Sequence, residues 1–258
     1  MLTDPLEDYA RGSVPFLGVE VFLDSHPLIP RTETEYWVER AIAEILDVGH
    51  QVVTTDVGRP QFRVLDLFAG SGCIGLGVLK HISNAHVTFA EKEVRHFPTI
   101  RKSAAAILAS DARMAAQVAC VESDVWSAFS TLPALPHTAG ALPIPMSDVG
   151  RRTWGEFDYV LANPPYVSEE RGTVSSEALA YEPPEALFAP GDGFEFIEKT
   201  IAGLPRHLAP EGAAWIEHEP FHTAKISTCA KTHGLSATTH TDQHGVERFT
   251  RMTHKGVA

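Results

Sequence analysis

The sequence predicts an α/β fold in which a doubly wound, mostly parallel sheet carries helices on both faces. From residue 62 onward, short apolar runs of strand length alternate with stretches whose apolar residues recur at helical spacing. A glycine-rich turn directly follows the first of these runs, as expected between a strand and a helix. The last two runs are joined by a tight turn at Gly245, which predicts that the sheet ends in an antiparallel hairpin.

The individual elements can be placed in chain order from the same patterns. A strand is expected over 16–23, and a helix over 35–46 with Thr32 as its N-cap. The strands of the main sheet are expected at 62–67, 86–90, 117–121, 157–162 and 213–217, and the terminal hairpin around 242–245. The intervening helices are expected at 73–81, 94–110, 193–207 and 223–233.

The domain organisation follows from where the alternation begins. Residues 1–50 are expected to form a short strand and helix segment, and residues 51–258 the main α/β domain. Residues 130–152 are rich in Pro, Gly and Ala and lack periodicity, which predicts an irregular insertion inside the main domain.

Composition excludes several classes of protein. The formal net charge of −12 argues against a broad contact with nucleic-acid phosphates, which needs clustered Lys and Arg. The three cysteines, Cys73, Cys120 and Cys229, are far apart and odd in number, which favours reduced thiols in a cytoplasmic protein. No apolar run is long enough to span a bilayer, and the first residues lack the apolar core of a signal peptide.

The most informative motif is the run Asn163-Pro164-Pro165-Tyr166, which directly follows the expected strand 157–162. Proline cannot continue a strand ladder, so the strand ends here, at the edge of an open α/β sheet where ligands bind. The Asn163 carbonyl and the Pro164 carbonyl are two acceptors that can grip both hydrogens of a planar –NH2 group. Tyr166 offers a flat aromatic face beside them. A proline-terminated turn without function is the alternative interpretation.

A second candidate site is the turn after the first strand of the main sheet. Gly70 and Gly72 allow a tight turn and close approach of a ligand, and a carboxylate, Glu91, closes the next strand about 20 residues on. This arrangement suits the ribose of a dinucleotide or of S-adenosylmethionine. Asp66 favours S-adenosylmethionine, because the ammonium group of that molecule needs an anion. The loop residues expected at the cofactor are Phe68, Ala69, Gly70, Ser71 and Gly72.

The run Glu122-Ser123-Asp124-Val125 ends the third strand of the main sheet. At that place in the sheet it would flank the adenine of a bound nucleoside, and Asp124 could accept a hydrogen bond from the adenine amino group. An acidic surface turn is the alternative.

The run His218-Glu219-Pro220-Phe221-His222 matches the spacing of a zinc-protease motif. That motif requires both histidines on one face of a continuous helix, and Pro220 cannot lie in a helix interior. We therefore expect no metal site.

Taken together, the motifs resemble those of the HemK-type peptide chain release factor glutamine methyltransferases. The segments that carry the resemblance are 28–35, 66–72, Glu91, 123–124, 163–166, 181–187 and 247–249. Asn-Pro-Pro-Tyr alone is also found in adenine-N6 methyltransferases, whereas the Ile-Pro-Arg turn at 29–31 and the Tyr-Glu-Pro segment at 181–183 are more specific.

The resemblance implies a Rossmann-like, seven-stranded class I methyltransferase sheet with a terminal antiparallel hairpin. It implies an enzyme that methylates a glutamine side-chain amide of a release factor, with S-adenosylmethionine as cofactor. Asn163, Pro164 and Tyr166 would be catalytic, and Pro165 would contact the substrate with them. Arg31, Thr34, Asp124, Val125 and Asn163 would contact the cofactor together with the glycine loop and Glu91.

The chain departs from the family in four places. Family members usually carry a helical N-terminal domain of several dozen residues, of which this sequence has almost none, so the resemblance does not extend to how the release factor docks. The insertion at 130–152 is also unusual. Phe68 stands where glycine is common in the loop, and Val125 where an aromatic residue often lies beside adenine.

Three other functions remain compatible with parts of the sequence. They are an adenine-N6 methyltransferase acting on DNA or RNA by flipping the base, a non-catalytic nucleoside-fold binding partner, and a nicotinamide oxidoreductase. The acidic charge counts against the first, and the 163–166 motif against the other two.

Overall fold

The computed structural model describes residues 5–52, 62–108, 117–129, 156–171 and 176–256. The expected insertion, 130–152, lies outside these residues. The strands are β1 (Ser13–Phe16), β2 (Val19–Phe22), β3 (Phe62–Leu67), β4 (Ala85–Glu91), β5 (Val118–Glu122), β6 (Phe157–Ala162), β7 (Leu208–Glu217), β8 (Leu235–Thr241) and β9 (Glu247–His254). The α-helices are α1 (Pro5–Arg11), α2 (Thr32–Val52), α3 (Cys73–His81), α4 (Phe97–Leu108), α5 (Ser176–Tyr181), α6 (Pro184–Leu187), α7 (Glu195–His207) and α8 (Thr223–Thr232).

The main sheet has the strand order β5-β4-β3-β6-β7-β9-β8. Its strands are parallel except β9, which runs antiparallel to both β7 and β8. The chain builds outward from β3 to β5 and then returns to add β6 on the other side of β3. The order therefore reverses between β3 and β6, which is where open α/β sheets form their ligand-binding crevice. The expected seven-stranded fold with a terminal hairpin is confirmed.

Both faces of the sheet are covered, which explains why its strands are nearly continuous apolar runs. Successive residues of β6 alternate between two cores: Tyr159 and Leu161 belong to one, and Val160 and Ala162 to the other. The first core also contains apolar residues of α2, α3 and α4, and the second those of α7 and α8.

The N-terminal region differs from the expected single strand over 16–23. It forms a hairpin of β1 and β2, which pair antiparallel around Leu17 and Gly18. Both turn residues have positive φ, 46° and 73°, as a tight hairpin turn requires. The sequence did not reveal this turn, because apolar residues flank it on both sides and the whole run from 16 to 23 has the pattern of one buried strand.

Helix α2 begins at Thr32, where an N-cap was expected, and extends beyond the expected end at 46. Trp37 and the hairpin residue Phe16 are essentially inaccessible and belong to the same core as β3 and α3. The N-terminal segment is thus packed on the sheet. The short helices α1, α5 and α6 were not predicted, since none of them shows a clear apolar period.

Among the described residues, none of the helices is both long enough and apolar enough to cross a membrane.

Candidate active site

A cavity of about 300 Å³ opens at the carboxyl ends of the central strands. Its walls come from the loops after β3, β4, β5 and β6 and from the region between α6 and α7. The expected site residues that line it are Phe68, Gly70, Glu91, Asp124, Val125, Asn163 and Pro165. The structure thus gathers residues from four separate sequence motifs around one space.

The glycine loop leaves β3 and turns back over β4. The N–H groups of Phe68 and Ala69 both donate to the carbonyl of Ala90, at 3.0 and 3.1 Å. Gly70 and Gly72 have positive φ values of 51° and 78°, which a side chain would strain. Phe68 also has a positive φ, 66°, although it carries a large side chain. Its ring lines the cavity and meets Phe196 of α7 edge to face, with centroids 5.9 Å apart.

Glu91 ends β4 and presents its carboxylate at the cavity. Its Oε2 accepts the N–H of Gly70 at 2.8 Å, and its Oε1 accepts the N–H of Glu93 at 2.8 Å. Burial raises the pKa of Glu91, whereas these backbone donors lower it. The side chain is therefore held in one place by the loop it supports.

Asp66 lies in β3 and is fully buried, so it does not line the cavity. Its Oδ2 accepts the N–H of Gly75 at 2.8 Å, while its Oδ1 has no hydrogen-bond partner among the described residues. Burial is the main reason that the pKa of Asp66 is raised to about 8. Asp66 is thus protonated at neutral pH and does not reach the cavity, so it does not present there the anion that an ammonium group would need.

The turn 123–125 follows β5. Ser123 Oγ donates to the carbonyl of Val125 at 2.6 Å, and Ser127 Oγ accepts the N–H of Asp124 at 2.9 Å. Val125 has a φ of 51°, uncommon for a β-branched residue, and it lines the cavity beside Asp124. Lys92 pairs with Asp124 at 3.0 Å at the mouth of the cavity.

The 163–166 motif follows β6, as expected. Asn163 lines the cavity, and its Nδ2 lies 3.2 Å from Thr34 Oγ1. Tyr166 does not line the cavity, and its hydroxyl donates to Glu217 Oε1 at 2.8 Å. Burial and the adjacent carboxylate raise the pKa of Tyr166 well above its usual value. Pro165 lines the cavity, whereas Pro164 is buried.

Arg31 and Thr34 do not line the cavity. Arg31 pairs with Glu182, and the N–H of Ile29 donates to the same carboxylate at 3.2 Å. The two sequence segments most specific to the resemblance, 29–31 and 181–183, therefore contact each other. Thr34 is buried and donates its hydroxyl to Glu217 Oε2 at 2.7 Å. The remaining loop residues, Ala69, Ser71 and Gly72, are buried and form the base of the loop.

The histidines of the 218–222 run lie outside this cavity. His218 Nε2 lies 2.8 Å from Thr250 Oγ1, and His222 Nε2 lies 2.9 Å from the carbonyl of Asp192. Burial lowers the pKa of His218 to about 4. In the described part of the chain, no three His, Cys, Asp or Glu side chains are grouped as ligands for a metal.

The sequence analysis missed the role of Glu217, together with its contact to Trp37, which supports Glu217 and does not line the cavity. Trp37 Nε1 donates to Glu217 Oε2 at 2.7 Å. A carboxylate at the end of an apolar strand and an indole on the apolar face of a helix both need partners. The sequence shows that each group needs a hydrogen-bond partner. It does not show that Trp37 and Glu217 are partners, because they lie 180 positions apart and meet only in the tertiary fold.

Solved structures with similar folds are methyltransferases. One is the ribosomal protein L11 methylase from Lactobacillus delbrueckii subsp. bulgaricus, 13% identical with a TM-score of 0.51, covering 90% of this chain and 83% of that chain. Another is the T. thermophilus 16S rRNA N2 G1207 methyltransferase in complex with AdoMet and guanosine, 16% identical with a TM-score of 0.55, covering 94% of this chain and 50% of that chain. These similarities support the fold alone.

No family model matches the chain, but curated relatives do. The release factor glutamine methyltransferase of Burkholderia pseudomallei is 29% identical over 87% of this chain and 67% of its own length. The protein of the same name in Deinococcus radiodurans is 27% identical over 98% of this chain and 75% of its own length. That of Chlamydia trachomatis serovar D is 30% identical over 93% of this chain and 69% of its own length. The chain therefore belongs to the release factor glutamine methyltransferase family, and it is a methyltransferase.

Proposed function

We propose that this enzyme methylates a glutamine side-chain amide of a peptide chain release factor, with the acceptor held by the 163–166 motif. The observation that carries the proposal is the position of Asn163. Its carboxamide lines the same cavity as Glu91 and stands at the point where the strand order reverses. A planar amide acceptor and a nucleoside-binding carboxylate thus face one space.

S-adenosylmethionine is the cofactor, and the residues present fit it. Glu91 offers a fixed carboxylate to the ribose hydroxyls. Phe68, Val125 and Phe196 supply apolar surface for a flat base. The cofactor supplies an electrophilic methyl group carried on a sulfonium.

Asn163 and Pro164 orient the acceptor in the proposed mechanism. An amide nitrogen is a poor nucleophile because its lone pair is delocalised into the carbonyl, so its direction of approach has to be fixed. The Asn163 side-chain carbonyl and the Pro164 backbone carbonyl accept the two N–H groups and aim the lone pair at the methyl group. Such positioning lowers the barrier without a strong base.

The nearby acidic groups are poorly suited to act as a base, which supports this mechanism. Glu217 already accepts hydrogen bonds from three side chains, and the Tyr166 hydroxyl is committed to Glu217. The amide nitrogen would form its bond to the methyl carbon while the carbon–sulfur bond of the sulfonium breaks and its electron pair stays on sulfur, and the nitrogen would then lose its proton to water.

The proposed partner is therefore a protein. The net charge of −12 disfavours extended contact with nucleic acid, and a translation factor places the reaction in the cytoplasm. Asn163 and the motif beside it would accept the glutamine side chain of the factor.

The test is methylation of purified release factor, DNA and RNA with labelled S-adenosylmethionine, followed by mass spectrometry of the labelled product. We expect label on one glutamine of the release factor. Replacing that glutamine in the factor by alanine should abolish labelling, and this variant is the matched control for incidental modification.

The Asn163→Ala enzyme should still bind the cofactor while transfer falls about 10²-fold or more, because a misplacement of about 1 Å can have that effect. Asn163→Asp should turn over faster than Asn163→Ala, since it keeps an acceptor, but more slowly than wild type, since its charge favours the sulfonium ground state. Label on DNA or RNA instead of the factor would refute the proposal. So would a wild-type rate in Asn163→Ala.

A further inference from the structure

Glu217 is a buried carboxylate at which three elements meet. It ends β7, is 1% exposed, and does not line the cavity. Its Oε2 accepts the hydroxyl of Thr34 and the indole N–H of Trp37, each at 2.7 Å. Its Oε1 accepts the hydroxyl of Tyr166 at 2.8 Å. No sequence motif marked this residue, and none of its contacts reaches the cavity directly.

The contact between Glu217 and Thr34 fixes the direction of a hydrogen bond. An ionised carboxylate has no proton to donate, so the Thr34 hydroxyl hydrogen must point toward Glu217. The Thr34 oxygen can then only accept a bond from Asn163, its other polar neighbour at 3.2 Å. Only the amide nitrogen of Asn163 carries hydrogens.

The two ends of an asparagine carboxamide have the same shape, and only the hydrogen-bond network distinguishes them. Here the network requires the –NH2 end of Asn163 to face Thr34. The Oδ1 atom then occupies the other end of the carboxamide and is available as an acceptor. In the reverse orientation an –NH2 group would meet the –NH2 group of the substrate, and two donors cannot pair.

We propose that Glu217 and Thr34 are positioning residues that hold the Asn163 carboxamide with its oxygen toward the reacting amide. The proposal rests on the function proposed above, in which Asn163 accepts an N–H of the substrate. Glu217 touches neither substrate nor cofactor and acts through the Thr34 hydroxyl.

The ionised state of Glu217 is supported by its surroundings. Three donors converge on it, and hydrogen bonds to the charged form favour that form. Burial acts in the opposite direction and raises the pKa of Glu217. The Thr34 hydroxyl is the third donor to this carboxylate, beside the Trp37 indole and the Tyr166 hydroxyl, so its hydrogen points toward Glu217.

Thr34→Val is the sharpest test, because valine matches threonine in shape and lacks the oxygen. We expect kcat to fall about 10²-fold, while the KM for release factor and the cofactor Kd stay within about threefold of wild type. Thr34→Ser restores the hydroxyl and should recover most of kcat. Glu217→Gln can donate to Thr34 and so permits the reversed hydrogen bonds, and it should also lower kcat with the cofactor Kd maintained.

Trp37→Phe is the matched control. It removes one hydrogen bond from the same oxygen of Glu217 but leaves the bond from Thr34 to Glu217 in place. It should lower the stability of the fold and leave kcat within about threefold of wild type. An equal fall of kcat in Trp37→Phe and Thr34→Val would show that Thr34 acts only by supporting the structure, and would overturn the proposal.

A double-mutant cycle separates positioning from general damage. If Thr34 acts through Asn163, Thr34→Val should have little further effect on kcat in an Asn163→Ala enzyme. Multiplicative losses would show that the two residues act independently, and would also overturn the proposal.

Side-chain amide NMR provides a readout that requires no catalysis. The Asn163 –NH2 hydrogens should be protected from exchange in wild type and Thr34→Ser, and lose that protection in Thr34→Val. Absence of protection in wild type would refute the assigned orientation, even if the enzyme proved inactive on release factor. Inactivity of wild type with a protected amide would instead count against the proposed function alone.

Discussion

Asp66 is a carboxylate that the fold buries completely while satisfying only one of its oxygens. Burial raises its pKa to about 8, against an ordinary value near 3.8. Between these two pH values the folded protein holds a proton that the unfolded chain has released. Stability must therefore fall as pH rises across this window, and level off above pH 8.

This titration predicts the behaviour of an Asp66→Asn variant in the absence of cofactor. Asparagine keeps an acceptor for the Gly75 N–H and cannot ionise. The free energy of unfolding of wild type should decline between pH 5 and pH 8 by up to about 1.4 kcal/mol per unit, and this contribution should vanish in the variant. Urea unfolding at several pH values measures both. Equal slopes in the two proteins would mean that Asp66 is ionised in the fold at neutral pH.

Phe68 combines a strained backbone with a cavity-lining ring. In Phe68→Gly, release of the positive φ should offset part of the lost burial, so the free energy of unfolding should change by less than about 1 kcal/mol. Cofactor binding should weaken by roughly 1–2 kcal/mol, because the aromatic wall is lost. Phe68→Leu keeps the strain and some apolar surface, and should be less stable than Phe68→Gly. Calorimetry showing unchanged cofactor affinity in Phe68→Gly would show that the ring does not contribute to cofactor binding.

At the scale of elements, the segment from α5 to α6 is tied to the turn before α2. Glu182 is 3% exposed and accepts from Arg31 and from the N–H of Ile29. Pro183 and Ala186, which follow it, line the cavity. A contact far from the glycine loop therefore holds one wall of the site.

Glu182→Ala should loosen this wall, because it leaves a partly buried guanidinium and a backbone N–H without their acceptor. We expect faster amide hydrogen exchange over 178–188 and weaker cofactor binding. Glu185→Ala is the control for the exchange measurement alone, since it removes an exposed carboxylate of the same segment that pairs with Arg95, and both residues line the cavity. Exchange that is as slow in Glu182→Ala as in Glu185→Ala would contradict the proposed anchoring.

The elements that could be predicted from the sequence are those whose local pattern and burial agree. Helix α3 was predicted with its bounds, since a glycine turn starts it and its apolar residues are buried along its length. The hairpin of β1 and β2 was read as one strand because apolar residues flank its turn. Helices α5 and α6 are too short to show a period, and contacts such as that of Glu182 hold them in place.

The positions in the candidate site that could be predicted are also those marked by a local pattern. Glu91 and Asn163 were expected at the cavity because each lies at the carboxyl end of a strand, and both line it. Arg31 was expected at the cofactor on resemblance, yet its partner in the structure is Glu182, which no local pattern could reveal. The same holds for Glu217, whose donors come from distant parts of the chain.

At the scale of the whole molecule, the cavity joins loops from both halves of the sheet. Glu91 ends β4 on one side of β3, and Asn163 follows β6 on the other. A ligand that contacts both should stabilise the folded chain as a unit, because binding to the folded state alone raises the free energy of unfolding.

Thermal unfolding with different nucleotides uses this coupling to distinguish the two cofactors that the glycine loop allows. At a hundredfold excess over Kd, a ligand contributes about 2.7 kcal/mol, which corresponds to a rise in Tm of roughly 5–10 °C for a chain of this size. S-adenosylmethionine and its demethylated product should both produce this rise, and NAD should produce none.

Glu91→Gln keeps one acceptor for the loop N–H groups but loses the charge that faces the ribose. We therefore expect a smaller rise at equal ligand concentration, since charge-assisted hydrogen bonds contribute about 1–3 kcal/mol. A rise with NAD would contradict the assigned cofactor, whereas an undiminished rise with S-adenosylmethionine in Glu91→Gln would show that this carboxylate does not bind the ribose as proposed.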